Sequence, residues 1–214
     1  MKKRIFSIVF LLIFISGSAF TYTYKKNEKE YIGMYKRAVD IKTKIFLVKK
    51  LTAMKSIEAL KMFVDDLCFP LRKDTPSGDL KASSGRFNLV RKYIAFYLRY
   101  YRNEPKENLF YGFQVIRKLV DNSPDEHIVI HAMTTLCYWA KNMEDGHKSL
   151  MVNSLNKKIS KIDKKYPRMT YAIIRCIRIL LPYEGAKKLI YRMRAAGLNN
   201  RAKRMLRKLW DPNS

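Results

Sequence analysis

Apolar residues return along this chain at three- and four-residue steps, with polar residues between them. That is the period of an α-helix with one face to bury. From Tyr31 the steps run through Tyr35, Ala38, Ile41, Ile45 and Val48, then through Ala53, Ile57, Leu60, Val64 and Leu67. A break or bend is expected between these runs, near Lys49–Thr52. Pro70, Pro76, Gly78 and Gly85 mark residues 69–85 as a long loop. Beyond it Phe87, Val90, Ile94, Leu98 and Tyr101 share one helical face, which Tyr93, Phe96, Tyr97 and Tyr100 widen. Arg91, Lys92, Arg99 and Arg102 fall in the remaining sector and read as a solvent-facing basic stripe pointing away from the aromatic rings.

Two further helices follow closely. One spans Glu107 to Asp121, with Leu109, Phe113, Ile116 and Val120 inward; the other spans Ser123 to Asn142. A connection of about two residues forces them to lie antiparallel or nearly so. Gly146 marks the next turn. Val152, Leu155, Ile159, Ile162 and Tyr166 then lead to Pro167, and Met169, Ala172, Ile173, Cys176 and Leu180 to a stop near Pro182. Two short basic helices end the pattern. Lys187, Lys188, Arg192 and Arg194 oppose Leu189, Ile190 and Met193, with Gly197 as a C-terminal cap. Arg201, Lys203, Arg204, Arg207 and Lys208 oppose Ala202, Met205, Leu206, Leu209 and Trp210.

Ser123-Pro124-Asp125-Glu126 reads as a helix start: Ser123 as N-cap, Pro124 with no N–H to satisfy, and Glu126 reaching back to close a capping box. The stretch from Ser123 to Leu136 resembles the opening of a HEAT-type repeat helix, with a polar-Pro-acid start, β-branched Ile128, small Ala132 and Leu136. It departs from that pattern at Val129, where such repeats carry a basic residue. The resemblance implies an all-α fold, a right-handed α-solenoid-like array of antiparallel helix pairs with a concave face for partners. Helix pairs with short turns, and only 8 Gly and 7 Pro in 214 residues, point to a helical array as well.

The first residues read as an address. Lys2, Lys3 and Arg4 precede an apolar run from Ile5 to Ile15, and Gly17-Ser18-Ala19 offers small residues for cleavage between Ala19 and Phe20. The run is shorter than the ~20 residues of a spanning helix. The expected organisation is a signal peptide over 1–19, a polar frayed linker over 20–30 and one helical domain over 31–212. That makes the protein exported, periplasmic or secreted. The alternative is an uncleaved anchor over residues 5–20 with the helical domain outside the cytoplasm. No Cys follows the apolar run, which argues against a lipoprotein.

Charge narrows the function. Lys and Arg number 44 against 18 Asp and Glu, a net charge of +26. Such a chain attracts an acidic protein, an acidic glycan or an anionic membrane surface. Nucleic acid, held by phosphate contacts to the same stripes, ranks behind these because export separates the protein from most of it. The last basic helix is read as docked, and as a membrane-surface element in the alternative. Cys68, Cys137 and Cys176 have no metal spacing and read as buried small hydrophobes.

No pattern calls for catalysis, a cofactor or a metal. His127 and His131 lie four apart, with His147 further on, but in no His-Glu-x-x-His order. Asp65 and Asp66 are neighbours and diverge on a helix. No G-x-S-x-G elbow or Gly-rich phosphate loop occurs. The expected role is a non-catalytic binding module.

Overall fold

The computed structural model describes residues 27–68, 80–160, 162 and 167–210, with the backbone alone for 80–87 and 210. The expected signal segment, its Ala19–Phe20 cleavage point and residues 69–79 of the expected loop lie outside the described residues. Every regular element among the described residues is helical. α1 covers 27–37. There follow α2 (Ile41–Ala53), α3 (Ile57–Cys68), α4 (Leu80–Tyr97), α5 (Lys106–Asn122), α6 (Glu126–Lys141), α7 (Asp145–Ile159), α8 (Pro167–Leu180), α9 (Glu184–Ala195) and α10 (Asn200–Trp210).

Local side-chain chemistry sets the boundaries, and several differ from the pattern reading. The run from Tyr31 to Val48 is two helices. Asp40 ends the first stretch and caps α2 by accepting from Thr43 N at 2.9 Å. That bond holds the exposed Asp40 carboxyl below its ordinary pKa. The next break falls at Met54–Ser56, a few residues later than expected. Lys55 takes a left-handed φ of 57°, and the buried Ser56 hydroxyl accepts from Ala59 N at 3.0 Å. α1 begins inside the expected linker. α4 begins at Leu80, inside the expected loop, because Leu80, Lys81 and Ala82 extend the helix back through Ser83, Ser84 and Gly85.

The expected capping box is corrected too. Asp125, not Ser123, caps α6, accepting from Ile128 N at 3.1 Å. Glu126 is then the first helical residue and too early to reach back. Ser123 instead closes α5, donating its N–H to Leu119 O at 2.8 Å, and its hydroxyl accepts from Asp125 N. Pro124 holds Ser123 in an extended conformation, which removes it from the helix. Pro167 opens α8, and Gly197, with φ 63°, follows the end of α9 as its cap.

Two rows of helices result. In one, α2 packs on α4, α4 on α6, α6 on α8 and α8 on α10; in the other, α3 packs on α5, α5 on α7 and α7 on α9. Each helix also packs on its neighbour in sequence from α2 to α10, apart from α4 and α5, so the rows lie face to face. The core runs between them. Leu47, Phe63, Ile94, Phe113, Met133, Trp139, Leu155 and Ile173 are among its fully buried members. Each contributes about 1.5–3 kcal/mol by leaving water.

One junction fixes how α4 meets α6. α4 narrows into a single 3-10 turn over Leu98–Tyr101. Ends of this kind leave carbonyls without intrahelical partners. The neighbouring row member supplies them. Thr135 Oγ1 donates to Ala95 O at 2.6 Å, Trp139 Nε1 to Leu98 O at 3.0 Å and Asn142 Nδ2 to Arg102 O at 2.9 Å. Tyr101 is buried and donates to Ser56 O at 2.9 Å. Gly112 of α5 permits the close approach beneath: a Cβ there would meet both Trp139 and Val64 at 3.1 Å.

Candidate functional site

The acids are divided between the rows. Glu126 is the single acidic residue within α2, α4, α6, α8 and α10. Glu58, Asp65, Asp66, Glu107, Asp121, Asp145 and Glu184 all lie in α3, α5, α7 and α9. Those acids meet partners within or beside their own row. Asp66 accepts from Tyr35, Asp65 from Tyr111, Asp121 pairs with Arg117 and Lys157, and Glu184 with Lys187. Asp65 and Asp66 thus face different helices. In the first row Asp40 and Asp125 serve as caps and Glu126 follows one of them, so cations there far outnumber acids.

That row also shows aromatic rings, several of them with a cation above. Lys50 lies over Phe46 in α2, Arg99 over Phe96 at 3.5 Å from the ring centroid, Arg102 over Tyr138 and Arg201 over Tyr171. Such contacts are worth about 0.5–1 kcal/mol where exposed and hold the cation's direction. Arg99 is held further by donating Nε to Phe96 O at 2.6 Å. Phe96 meets the His131 ring edge-on at 5.6 Å and the Tyr100 ring at 6.4 Å. Tyr93 and Tyr100 stand exposed, the latter by 48%.

The expected stripe is therefore changed in two ways. Arg91 is not on it: only 5% exposed, it donates Nε to Leu67 O at 2.8 Å and Nη1 to Asn88 Oδ1 at 3.0 Å. It closes the carbonyl end of α3. Arg91→Met is expected to cost about 1–3 kcal/mol in denaturant melts, by orphaning Leu67 O, while leaving polyanion retention unchanged. The aromatic residues, conversely, share the surface with Lys92 and Arg99. Helical spacing itself puts Phe96 beside them, four residues after Lys92 and three before Arg99, while Tyr101 stays buried as expected. Phe96, Tyr138, His131 and Arg175 were missed as site residues. The signal that could have found them was the run of acid-free helices alternating with acidic ones.

His131 sits among cations. Burial, then Arg99, Lys92, His127 and Arg175, push its pKa down to about 4. An unfolded chain therefore takes this proton first as pH falls. Stability is full above about pH 6.5 and declines from there to about pH 4. His131→Gln should flatten that part of a denaturation-versus-pH curve. Arg99 is also pushed down, by burial and in small part by Arg175.

The other expected stripe residues lie elsewhere. Lys187, Lys188 and Arg192 are exposed on α9, in the second row; Arg192 donates to Asn156 and lines an open cleft of about 660 Å³ with Ile162 and Gly197. Arg194, Lys203 and Arg207 come together around a smaller cleft of about 270 Å³ floored by Leu198 and Leu206. Arg204 and Lys208 are exposed. α10 is docked as expected: Ala202 and Leu206 are buried, and Met205 and Leu209 pack on the core. Lying in a membrane would require stripping it from α8 and α9.

His147 is buried against Phe110 and Phe113, at 4.6 and 5.0 Å. Among the described residues no three His, Cys, Asp or Glu side chains converge as a metal site, and no helix is long and apolar enough to cross a membrane. All three cysteines are free and buried, and Cys137 is pushed up by burial and by the Cys176 thiol beside it. No family model matches this chain, and neither a curated protein nor a solved structure does.

Proposed function

We propose that the chain is an exported, non-catalytic helical repeat module whose acid-poor row holds an acidic partner: a protein, a glycan or an anionic lipid surface. Its architecture in this reading is a right-handed α-solenoid of HEAT-type helix pairs, and residues 1–19 carry it out of the cytoplasm. The observation that supports it best is the sidedness of charge. Seven carboxylates lie within the helices of one row and, apart from the caps Asp40 and Asp125, a single one within those of the other, where cations stand over Phe46, Phe96, Tyr138 and Tyr171. A module built only for solubility has no reason to sort its charges in this way.

Retention on an acidic glycan matrix, on acidic polypeptide and on anionic vesicles tests it. Binding to at least one, released by salt, is expected; passage through all three at low salt would sink the reading. Export is tested by intact mass: a chain beginning at Phe20, or an uncleaved one held in the membrane, is expected, and a full-length cytosolic chain overturns it. Nucleic acid is the second reading, favoured by rings and guanidiniums sharing one surface, on which bases could stack. It requires log affinity to fall linearly and steeply with log salt concentration.

A further inference from the structure

The most crowded part of the acid-poor row is the junction of α4, its 3-10 turn, α6 and α8. Arg99 Cζ lies 3.5 Å from the centroid of the Phe96 ring, and His131 makes an edge contact with that same ring. Lys92 is one turn before Phe96, and His127 one turn before His131. Arg175, exposed on α8, acts on both Arg99 and His131. No ion pair among the described residues involves Lys92, Arg99 or Arg175. Glu126 is not among the charges acting on His131. Like charges thus gather here, and ring and carbonyl contacts fix the directions of Arg99 and His131. Such an arrangement costs energy in the free protein and repays it when an anion enters.

Resting on the reading above, we propose that this junction is a site for one tetrahedral dianion, a phosphate monoester group. Arg99 and Arg175 grip its oxygens, Lys92 adds charge, and the His131 ring donates a fourth hydrogen bond. A guanidinium whose Nε is already committed to Phe96 O presents its Nη edge, the geometry that suits a phosphate oxygen pair. Phe96, Tyr100 and Tyr138 wall the group and lower its hydration. The ligand brings the counter-charge that His131 lacks, so the ring takes up a proton as the anion binds. No bond is made or broken.

The His131 ring resonances of the intact protein report on this directly. Inorganic sulfate is the first probe, because it stays a dianion across the range in which His131 titrates. Phenyl phosphate stands for a free ester, and vesicles of phosphatidic acid, against phosphatidylcholine, for a lipid-borne one. Saturable shifts and a His131 midpoint raised by about 1–3 units are expected. Arg175→Gln, at an exposed position, should weaken sulfate binding about tenfold. His131→Gln should remove the pH dependence of binding while Arg99 and Arg175 still bind. A response to the ester or to the lipid supports the site and tells which carrier it serves. A non-saturating response, or one unchanged by Arg175→Gln, overturns it. If glycan retention survives that result, the wider reading of the face stands without the site. If sulfate binds as described and retention fails on every matrix, the wider reading falls instead.

Discussion

Trp139→Ala should lower the unfolding free energy by about 3–5 kcal/mol. Trp139 is fully buried, and its Nε1 donates to Leu98 O at 3.0 Å. Truncation opens a cavity between α5 and α6 and strands a carbonyl at the end of α4. Domains have only about 5–15 kcal/mol in total, so much of the stability would go. Urea melts of purified protein measure the loss. Trp139→Phe separates the two contributions, since it keeps most of the volume and loses the bond, and about 1–3 kcal/mol is expected. Equal midpoints for wild type and Trp139→Ala would mean that α6 does not carry the junction. Gly112→Leu attacks the same contact from the other side, where even a Cβ sits at 3.1 Å from Trp139 and Val64.

The second large effect concerns binding. Arg102→Glu, Arg175→Glu and Arg201→Glu together should weaken retention on an acidic glycan by about a hundredfold, at roughly 1 kcal/mol or more per reversed charge. All three are exposed, so the fold is kept. The control carries the same change in net charge on the other row: Lys187→Glu, Lys188→Glu and Arg192→Glu on α9. Its loss should be no more than about threefold, because screening confines each charge to about 8 Å in physiological salt. Equal losses would show that net charge alone governs retention and that neither row is special.

Helix existence, buried faces and the docking of α10 could be read from the period of apolar residues, because burial imposes that period on sequence. Ends could not: α4 narrows into the 3-10 turn at Leu98–Tyr101, a boundary that the period does not mark. Arg91 shows a second limit: three, four and seven residues before Ile94, Ala95 and Leu98, it lies on the buried face, where its charge argued for water and the Leu67 carbonyl holds it inside. At Asp125 the cap competed with Ser123, two residues earlier, and backbone geometry decided between them. The site residues depended on which helices become neighbours. Arg175 is far from Arg99 in sequence and comes within electrostatic range of it only because α4 and α8 both pack on α6.

Concentrating helix carboxylates in one row gives the described helices an electric dipole directed from that row toward the acid-poor one. In the field of a negative surface such a body feels a torque as well as a pull. It turns its acid-poor side forward before any side chain touches, so more encounters arrive in a productive orientation. Two copies approaching each other meet the opposite situation. Those presenting their acid-poor sides repel most strongly and those meeting side to opposite side less so, because both rows carry more cations than acids; copies therefore stay apart at low ionic strength and approach more freely as salt is added.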